Sequence, residues 1–98
     1  MSDRLSRAEF LAVAPAGWTA DETVAHARFT TGSFAKGVDL VVEIGRLADE
    51  ANHHPDVLLR YGDVTVALTT HEVGGLSRRD VALARAIDDT ARTRLAGN

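Results

Sequence analysis

Histidine is the residue type in this chain best suited to proton transfer near neutral pH, because an unperturbed imidazole titrates between about pH 5 and 8. The four histidines are His26, His53, His54 and His71. A hairpin turn centred on Gly62 would place His71 opposite His53. A half-residue shift of that turn would place His71 opposite Asn52 or His54 instead. We therefore expect His53, His54 and His71 to share one end of a sheet.

Two carboxylates are expected close to these imidazoles. Asp49 precedes His53 by about one helical turn, and Asp80 follows the loop after His71. A neighbouring carboxylate can orient an imidazole or raise its pKa. Neighbouring residues of a regular strand point to opposite faces, so His53 and His54 can serve one site only if the backbone there is irregular.

A metal centre is the alternative chemistry for three histidines, since neutral imidazole is a common zinc ligand. The spacing, however, is not that of a helical His-x-x-x-His or zinc-finger motif. The sequence also contains no cysteine, which excludes thiolate ligands, disulfides and a cysteine nucleophile. We therefore expect proton transfer rather than metal binding, and we interpret the isolated His26 as an ordinary surface or core residue.

Length and composition indicate one compact domain. The 98 residues are 45% hydrophobic, so we expect a single domain over residues 1–98. A domain of this size has a small core, and assembly into a homodimer or homotetramer is a common remedy. The net charge of −3 and the scattered arginines argue against direct nucleic-acid binding. Without a signal-peptide pattern or a run of roughly 20 apolar residues, we expect no membrane contact and a cytoplasmic protein.

Hydrophobic periodicity and turn residues predict the elements that would position the histidines. Two cap patterns mark helix starts, namely Ser6 with Glu9 and Ser77 with Asp80. The predicted elements are a short helix stopped by Pro15 and Gly17, two short strands within 18–31 with a turn near 20–22, a helix over about 34–50, strands over 57–61 and 64–70 around Gly62, and a last helix to about Arg94.

This order, helix-strand-strand-helix-strand-strand-helix, predicts an α+β fold of two layers. An antiparallel four-stranded sheet would carry the helices on one face. Its other face must meet water or a partner, which is a second indication of assembly.

The chain resembles the pterin-4a-carbinolamine dehydratase family over nearly its whole length. The resemblance rests on the motifs Asp49-x-x-x-His53-His54-Pro55, Tyr61, Thr70-His71-Glu72 and Gly74-Gly75-Leu76-Ser77-x-Arg79-Asp80, with Gly17-Trp18 before the first strand. The element order of that family's fold agrees with the predicted one.

The resemblance implies a specific reaction. Members of the family dehydrate 4a-hydroxytetrahydropterin, left by aromatic amino acid hydroxylases, to quinonoid dihydropterin and water, with no metal or redox cofactor. The resemblance also implies that His53, His54 and His71 are catalytic, with His54 and His71 in contact with the leaving hydroxyl. It does not assign which histidine is the acid and which is the base. The residues implied around the pterin substrate are Asp80, Arg79, Asp49, Asn52 and Trp18. Asp80 would hold an imidazole or pterin nitrogens, and some relatives carry aspartate in place of Asn52. The alternative role of Trp18 is core packing.

Two other functions remain open from the sequence. Some relatives serve as binding or assembly partners, including a dimerisation cofactor of a transcription factor, and such a role would not need the histidines. A pterin enzyme of another cofactor pathway would use the same pocket on a different substrate. The presence of all three histidines together with Asp80 favours catalysis over a purely binding role.

Overall fold

The computed structural model describes residues 3–95, and it confirms the predicted order of the main helices and strands. The elements are β1 (Arg4–Leu5), α1 (Arg7–Val13), β2 (Thr19–Ala20), β3 (Ala25–Thr30), α2 (Phe34–Ala51), β4 (Asp56–Leu59), β5 (Asp63–Leu68), a 3₁₀ helix (His71–Val73), β6 (Leu76–Ser77) and α3 (Arg78–Leu95). The sequence pattern did not predict β1, β6 or the 3₁₀ helix, because elements of two or three residues are too short to show a hydrophobic period.

The fold is the predicted α+β arrangement. Strands β2, β3, β5 and β4 form a four-stranded antiparallel sheet in that order, and β1 pairs separately with β6. Alternation along β5 buries Val64, Val66 and Leu68 beneath the helices, while Thr65 and Ala67 on the other face are only partly buried. The two-layer class with helices on the sheet is therefore confirmed.

The register of the β4–β5 hairpin differs by one residue from that of a turn centred on Gly62. Asp56 pairs with Ala67 and Leu59 with Val64, and the Arg60 N–H donates to the Asp63 carbonyl over 2.9 Å. The turn therefore has two central residues, Tyr61 and Gly62. The prediction of a turn centred on Gly62 is wrong, and the half-residue shift of the turn is correct. The observed pairing ends at Asp56 and Ala67, before it reaches His53 or His71.

The core lies between the sheet and the two long helices. The buried residues of α3 include Val81, Ala84, Ile87 and Ala91. In α2 the buried residues are Gly37, Leu40, Ile44 and Ala48. A Cβ added at Gly37 would lie 2.6 Å from Leu59 Cδ1, so a glycine permits the close approach of α2 to β4.

Helix α1 begins at the predicted capping box. The Ser6 hydroxyl accepts the Glu9 N–H over 3.1 Å, and the Glu9 carboxylate accepts the Ser6 N–H over 2.8 Å. Hydrogen bonding of the Glu9 carboxylate, first to the Ser6 backbone N–H and second to the Ser6 side chain, lowers the pKa of Glu9 from its ordinary 4.5. A lowered folded-state pKa stabilises the fold above about pH 4.5, and this stabilisation is lost as the pH falls through the folded-state value.

We expect Glu9→Gln to reduce stability more at neutral pH than below pH 4.5, because only the ionised carboxylate gains from the cap. Thermal unfolding of both proteins at a neutral and an acidic pH measures this difference. As a control, Ser6→Ala should lower the unfolding free energy by about 1 kcal/mol. An equal difference between wild type and Glu9→Gln at the two pH values would contradict the prediction.

Candidate active site

A buried imidazole–carboxylate pair lies at the centre of the candidate site. His53 is 8% exposed and Asp80 is fully buried, and His53 Nε2 lies 2.7 Å from Asp80 Oδ1. An ionised carboxylate can only accept hydrogen bonds, so Nε2 carries the proton in this pair. In the neutral ring the other nitrogen, Nδ1, is then the basic one. This arrangement gives His53 a defined tautomer.

The second oxygen of Asp80 is held by the start of α3 and the end of the β4–β5 hairpin. Asp80 Oδ2 accepts the Ser77 N–H over 2.9 Å and the Thr70 hydroxyl over 2.7 Å. Ser77 precedes α3 and Asp80 is the third residue of that helix, which is the predicted capping spacing. The positive end of the helix dipole also favours a carboxylate here. Three donors thus offset the cost of burying this group.

The left-handed backbone of Asn52 directs the two adjacent histidines to different partners. Asn52 ends α2 with φ 48° and ψ 42°, a conformation that asparagine tolerates better than most residues. The next N–H, that of His53, donates to the Ala48 carbonyl over 3.1 Å. The chain therefore turns sharply after α2, so that His53 enters the interior while His54 remains at the surface. This is the irregular junction that the sequence left open.

His54 forms the second imidazole–carboxylate pair, this time in contact with solvent. His54 Nε2 lies 2.9 Å from Asp49 Oδ1, and the two side chains are 58% and 81% exposed. Asp49 thus orients His54 from the last turn of α2. A cavity of about 190 Å³ lies beside this pair and has an apolar floor from α2 and β4. Its lining includes Val41, Ile44 and Val57.

His71 is the first residue of the 3₁₀ helix and is exposed. The next residue, Glu72, lies 3.5 Å from the Arg79 guanidinium. The pKa of Glu72 is lowered, first by a hydrogen bond from its own backbone N–H and then by the charge of Arg79, with a smaller contribution from His53. Glu72 therefore pairs with Arg79 at the end of the sheet that carries His71.

Trp18 lies elsewhere in the molecule. Its side chain is 6% exposed and packs edge-to-face on Phe29, with ring centroids 6.3 Å apart. It lines a cavity of about 490 Å³ together with Ala91 and Leu95. Those two residues follow Asp80 by 11 and 15 positions along α3, roughly 16 and 22 Å of helix. The surroundings of Trp18 are thus those of the core-packing alternative.

The structure also brings to the candidate site residues to which the sequence assigned no role there. Thr70 and Glu72 belong to a family motif, and Ser77 belongs to both a family motif and a cap pattern. The Ser-x-x-Asp spacing was the available signal, but it does not reveal where the second carboxylate oxygen points. Among residues 3–95, no three His, Asp or Glu side chains gather as metal ligands. Within the same residues no helix is both long and apolar enough to cross a membrane.

Comparison with known proteins decides the family. A family model described as "Pterin 4 alpha carbinolamine dehydratase" matches residues 3–90. The chain belongs to this dehydratase family. A Halobacterium salinarum protein that carries the dehydratase name provisionally is 40% identical over 89 residues, covering 91% of this chain and 98% of its own. A Chloroflexus aurantiacus protein with the same provisional name is 42% identical over 89 residues, covering 88% and 95%.

Solved structures agree with the family fold. The crystal structure of a transcriptional coactivator/pterin dehydratase from Brucella melitensis has a TM-score of 0.81 and 25% identity, covering 90% of this chain and 98% of its own. A pterin dehydratase-like protein identified as a RuBisCO assembly factor in the alpha-carboxysome has a TM-score of 0.62 and 21% identity, covering 76% and 86%. The second likeness shows the shared fold alone.

The conformation of Asn52 gives a prediction that separates its backbone role from a role of its amide. Asn52→Ala should lower the unfolding free energy by about 1 kcal/mol, because a Cβ without a local polar partner is disfavoured in the left-handed region. Asn52→Gly should be nearly as stable as wild type. Urea unfolding measures both variants. Equal stability of Asn52→Ala and wild type would contradict the backbone role.

Proposed function

We propose that this protein dehydrates a 4a-hydroxytetrahydropterin by histidine general acid–base catalysis. The observation that carries the proposal is the buried His53–Asp80 pair, which fixes one imidazole at the same end of the sheet as His54 and His71. Membership of the dehydratase family supports the choice of a pterin carbinolamine as substrate. His53 could instead serve only to hold Asp80, the carboxylate that caps α3. That structural role, however, does not require the two solvent-facing histidines His54 and His71.

The reaction is an elimination that needs two proton transfers. The C4a–O bond breaks with both electrons on oxygen, and a general acid protonates the departing hydroxide to water. A general base removes the N5 proton, and the electrons of the N–H bond form the new N5=C4a double bond. The acid donates one proton and the base accepts one, so the protein gains and loses no net proton. The step therefore needs no oxidant or reductant.

The three histidines suit these roles in different ways. His54 and His71 are exposed, so either one can reach the leaving hydroxyl of a bound carbinolamine. His53 donates to Asp80 through Nε2, so its Nδ1 is the ring atom suited to accept the N5 proton. Each positioned acid or base is worth roughly 10²–10⁴-fold in rate.

Binding of the pterin ring is proposed from the carboxylates at the surface of the site. The N3–H and 2-amino group of a pterin form two parallel donors, which one carboxylate can accept together. Asp49 is exposed and keeps acceptor capacity beyond its bond to His54. The apolar floor of the neighbouring cavity suits the flat face of the ring. Because Asp80 is fully buried, we assign it to imidazole orientation rather than to pterin contact.

Dehydration of a 4a-carbinolamine generated in situ, followed by absorbance, tests the reaction. Wild type should accelerate its loss, and His54→Ala and His71→Ala should each lower kcat by roughly 10²–10⁴-fold. His26→Ala is the matched control, because His26 is an exposed histidine on β3 outside the site. Both histidines to be removed are exposed, so the fold should tolerate their loss.

Wild-type protein that is no faster than buffer would overturn the proposed activity. A role as a binding or assembly partner would then be preferred, as the name of the RuBisCO assembly factor illustrates for a protein of the same fold. Activity that survives in both His54→Ala and His71→Ala would retain the substrate but reject the catalytic histidines.

We also propose that the protein forms a homodimer or homotetramer through α2. Phe34, Val38 and Val42 are 49%, 38% and 64% exposed, and their four-residue spacing sets them along one face of the helix. An exposed apolar stripe of this kind is typical of a protein–protein interface. A second copy related by a two-fold axis presents the same stripe, which makes the contact self-complementary.

The Val42→Glu variant should therefore form smaller oligomers than wild type, because the new charge would lose its hydration within the proposed interface. Size-exclusion chromatography with light scattering measures the mass. Ala82→Glu, which adds the same charge on an exposed position of α3, is the control and should leave the mass unchanged. A monomeric wild type would contradict the assembly.

A further inference from the structure

The hydroxyl groups of Ser77 and Thr70 form a chain of hydrogen bonds to Asp80, in which each proton can be donated in one direction only. The Thr70 hydroxyl donates to Asp80 Oδ2 over 2.7 Å, and Ser77 Oγ lies 2.8 Å from Thr70 Oγ1. A threonine hydroxyl has a single proton, which is already given to Asp80. Ser77 must therefore donate to Thr70, while its own oxygen accepts the Arg79 N–H over 3.2 Å. The donor sequence is thus Ser77 to Thr70 to Asp80.

This chain determines which carboxylate oxygen is available to His53. Asp80 Oδ2 accepts from both Thr70 and the Ser77 N–H, so Oδ1 is the oxygen that receives the His53 ring proton. Without the Thr70 donor, Asp80 would hold one hydrogen bond fewer in a site where Thr70 itself is fully buried. The carboxylate could then rotate, and His53 would no longer be held to one tautomer.

Thr70 also anchors the loop that carries His71. Its N–H donates to the Gly75 carbonyl over 2.7 Å, and its carbonyl accepts the Gly75 N–H over 3.3 Å. The Val73 N–H closes the 3₁₀ turn on the same Thr70 carbonyl over 3.1 Å. His71 is the next residue in the chain, so its backbone position depends directly on Thr70. One residue therefore contacts both the carboxylate that orients His53 and the turn that presents His71.

We propose that Thr70 is a positioning residue that holds His53 and His71 in a fixed relation, with its hydroxyl oriented by Ser77. The catalytic consequence rests on the proposed dehydratase function, whereas the effect on the two imidazoles does not. Thr70 makes no contact with substrate in this role. It acts through Asp80 on one histidine and through the backbone on the other.

Thr70→Val tests the proposal, because valine has nearly the same shape and lacks the hydroxyl. We expect kcat to fall by about 10²-fold, the loss typical of a misplacement of roughly 1 Å, with KM little changed. Thr70→Ser, which restores the donor, should recover most of kcat. Thr65→Val is the matched control, since Thr65 lies on β5 and its side chain faces away from the helices.

A second readout does not depend on turnover. The ¹⁵N shifts of the His53 ring in wild type should show a single tautomer with the proton on Nε2. In Thr70→Val we expect a mixture of His53 tautomers, while the His71 resonances stay close to wild type because the backbone bonds of Thr70 remain. Thr70→Ser and Thr65→Val should match wild type at both histidines. If Thr70→Val does not fold, Ser77→Ala replaces it, because it removes the group that orients the Thr70 hydroxyl.

The outcomes of these experiments distinguish the positioning role of Thr70 from the proposed dehydratase function. An unchanged His53 tautomer and unchanged kcat in Thr70→Val, or in Ser77→Ala where that variant stands in, would overturn the positioning role. If wild type is inactive but Thr70→Val still changes the His53 tautomer, the result would support the positioning role of Thr70 and reject the dehydratase function. Loss of kcat without a change in the His53 tautomer would overturn the proposed route through Asp80.

Discussion

The burial of one carboxylate is the constraint on which the rest of the site depends. Asp80 has no exposed surface, and an ionised group in such a place is tolerated only when its oxygens are hydrogen-bonded. Its three donors come from the α2–β4 junction, from the end of the β4–β5 hairpin and from the start of α3. Segments distant in the sequence are therefore brought to one point, and the imidazole of His53 is fixed there.

The same hydrogen bonds serve both the fold and the chemistry. The bond from the Ser77 N–H to Asp80 satisfies a backbone donor that the first turn of any helix leaves unpaired. The opposite oxygen of that carboxylate orients His53. Removal of Asp80 would thus affect helix α3 and the imidazole together. The exposed His54–Asp49 pair differs, because solvent screens it and its contribution to stability is small.

The family fold is shared by proteins whose names describe different roles, so the fold alone does not determine function. The Brucella melitensis protein is named as both a coactivator and a dehydratase, and another neighbour as a RuBisCO assembly factor. In this chain α2 carries both the apolar stripe and Asp49, which orients His54. Function therefore has to be assigned from the side chains of the site and of the stripe rather than from the fold.

Local patterns in the sequence determined the element order, the α+β class, the capping of α1 and α3, and the expectation that three histidines meet at one sheet end. These features depend on residue spacings within a helix turn or a hairpin, which is why they can be derived without coordinates. The tertiary structure decided the rest. A two-residue turn at Tyr61 and Gly62 set the register, and the left-handed Asn52 separated His53 from His54. The sequence placed Asp80 near the imidazoles, but only the packing of α3 decided that it contacts His53, 27 residues away, because such a contact depends on how whole elements pack.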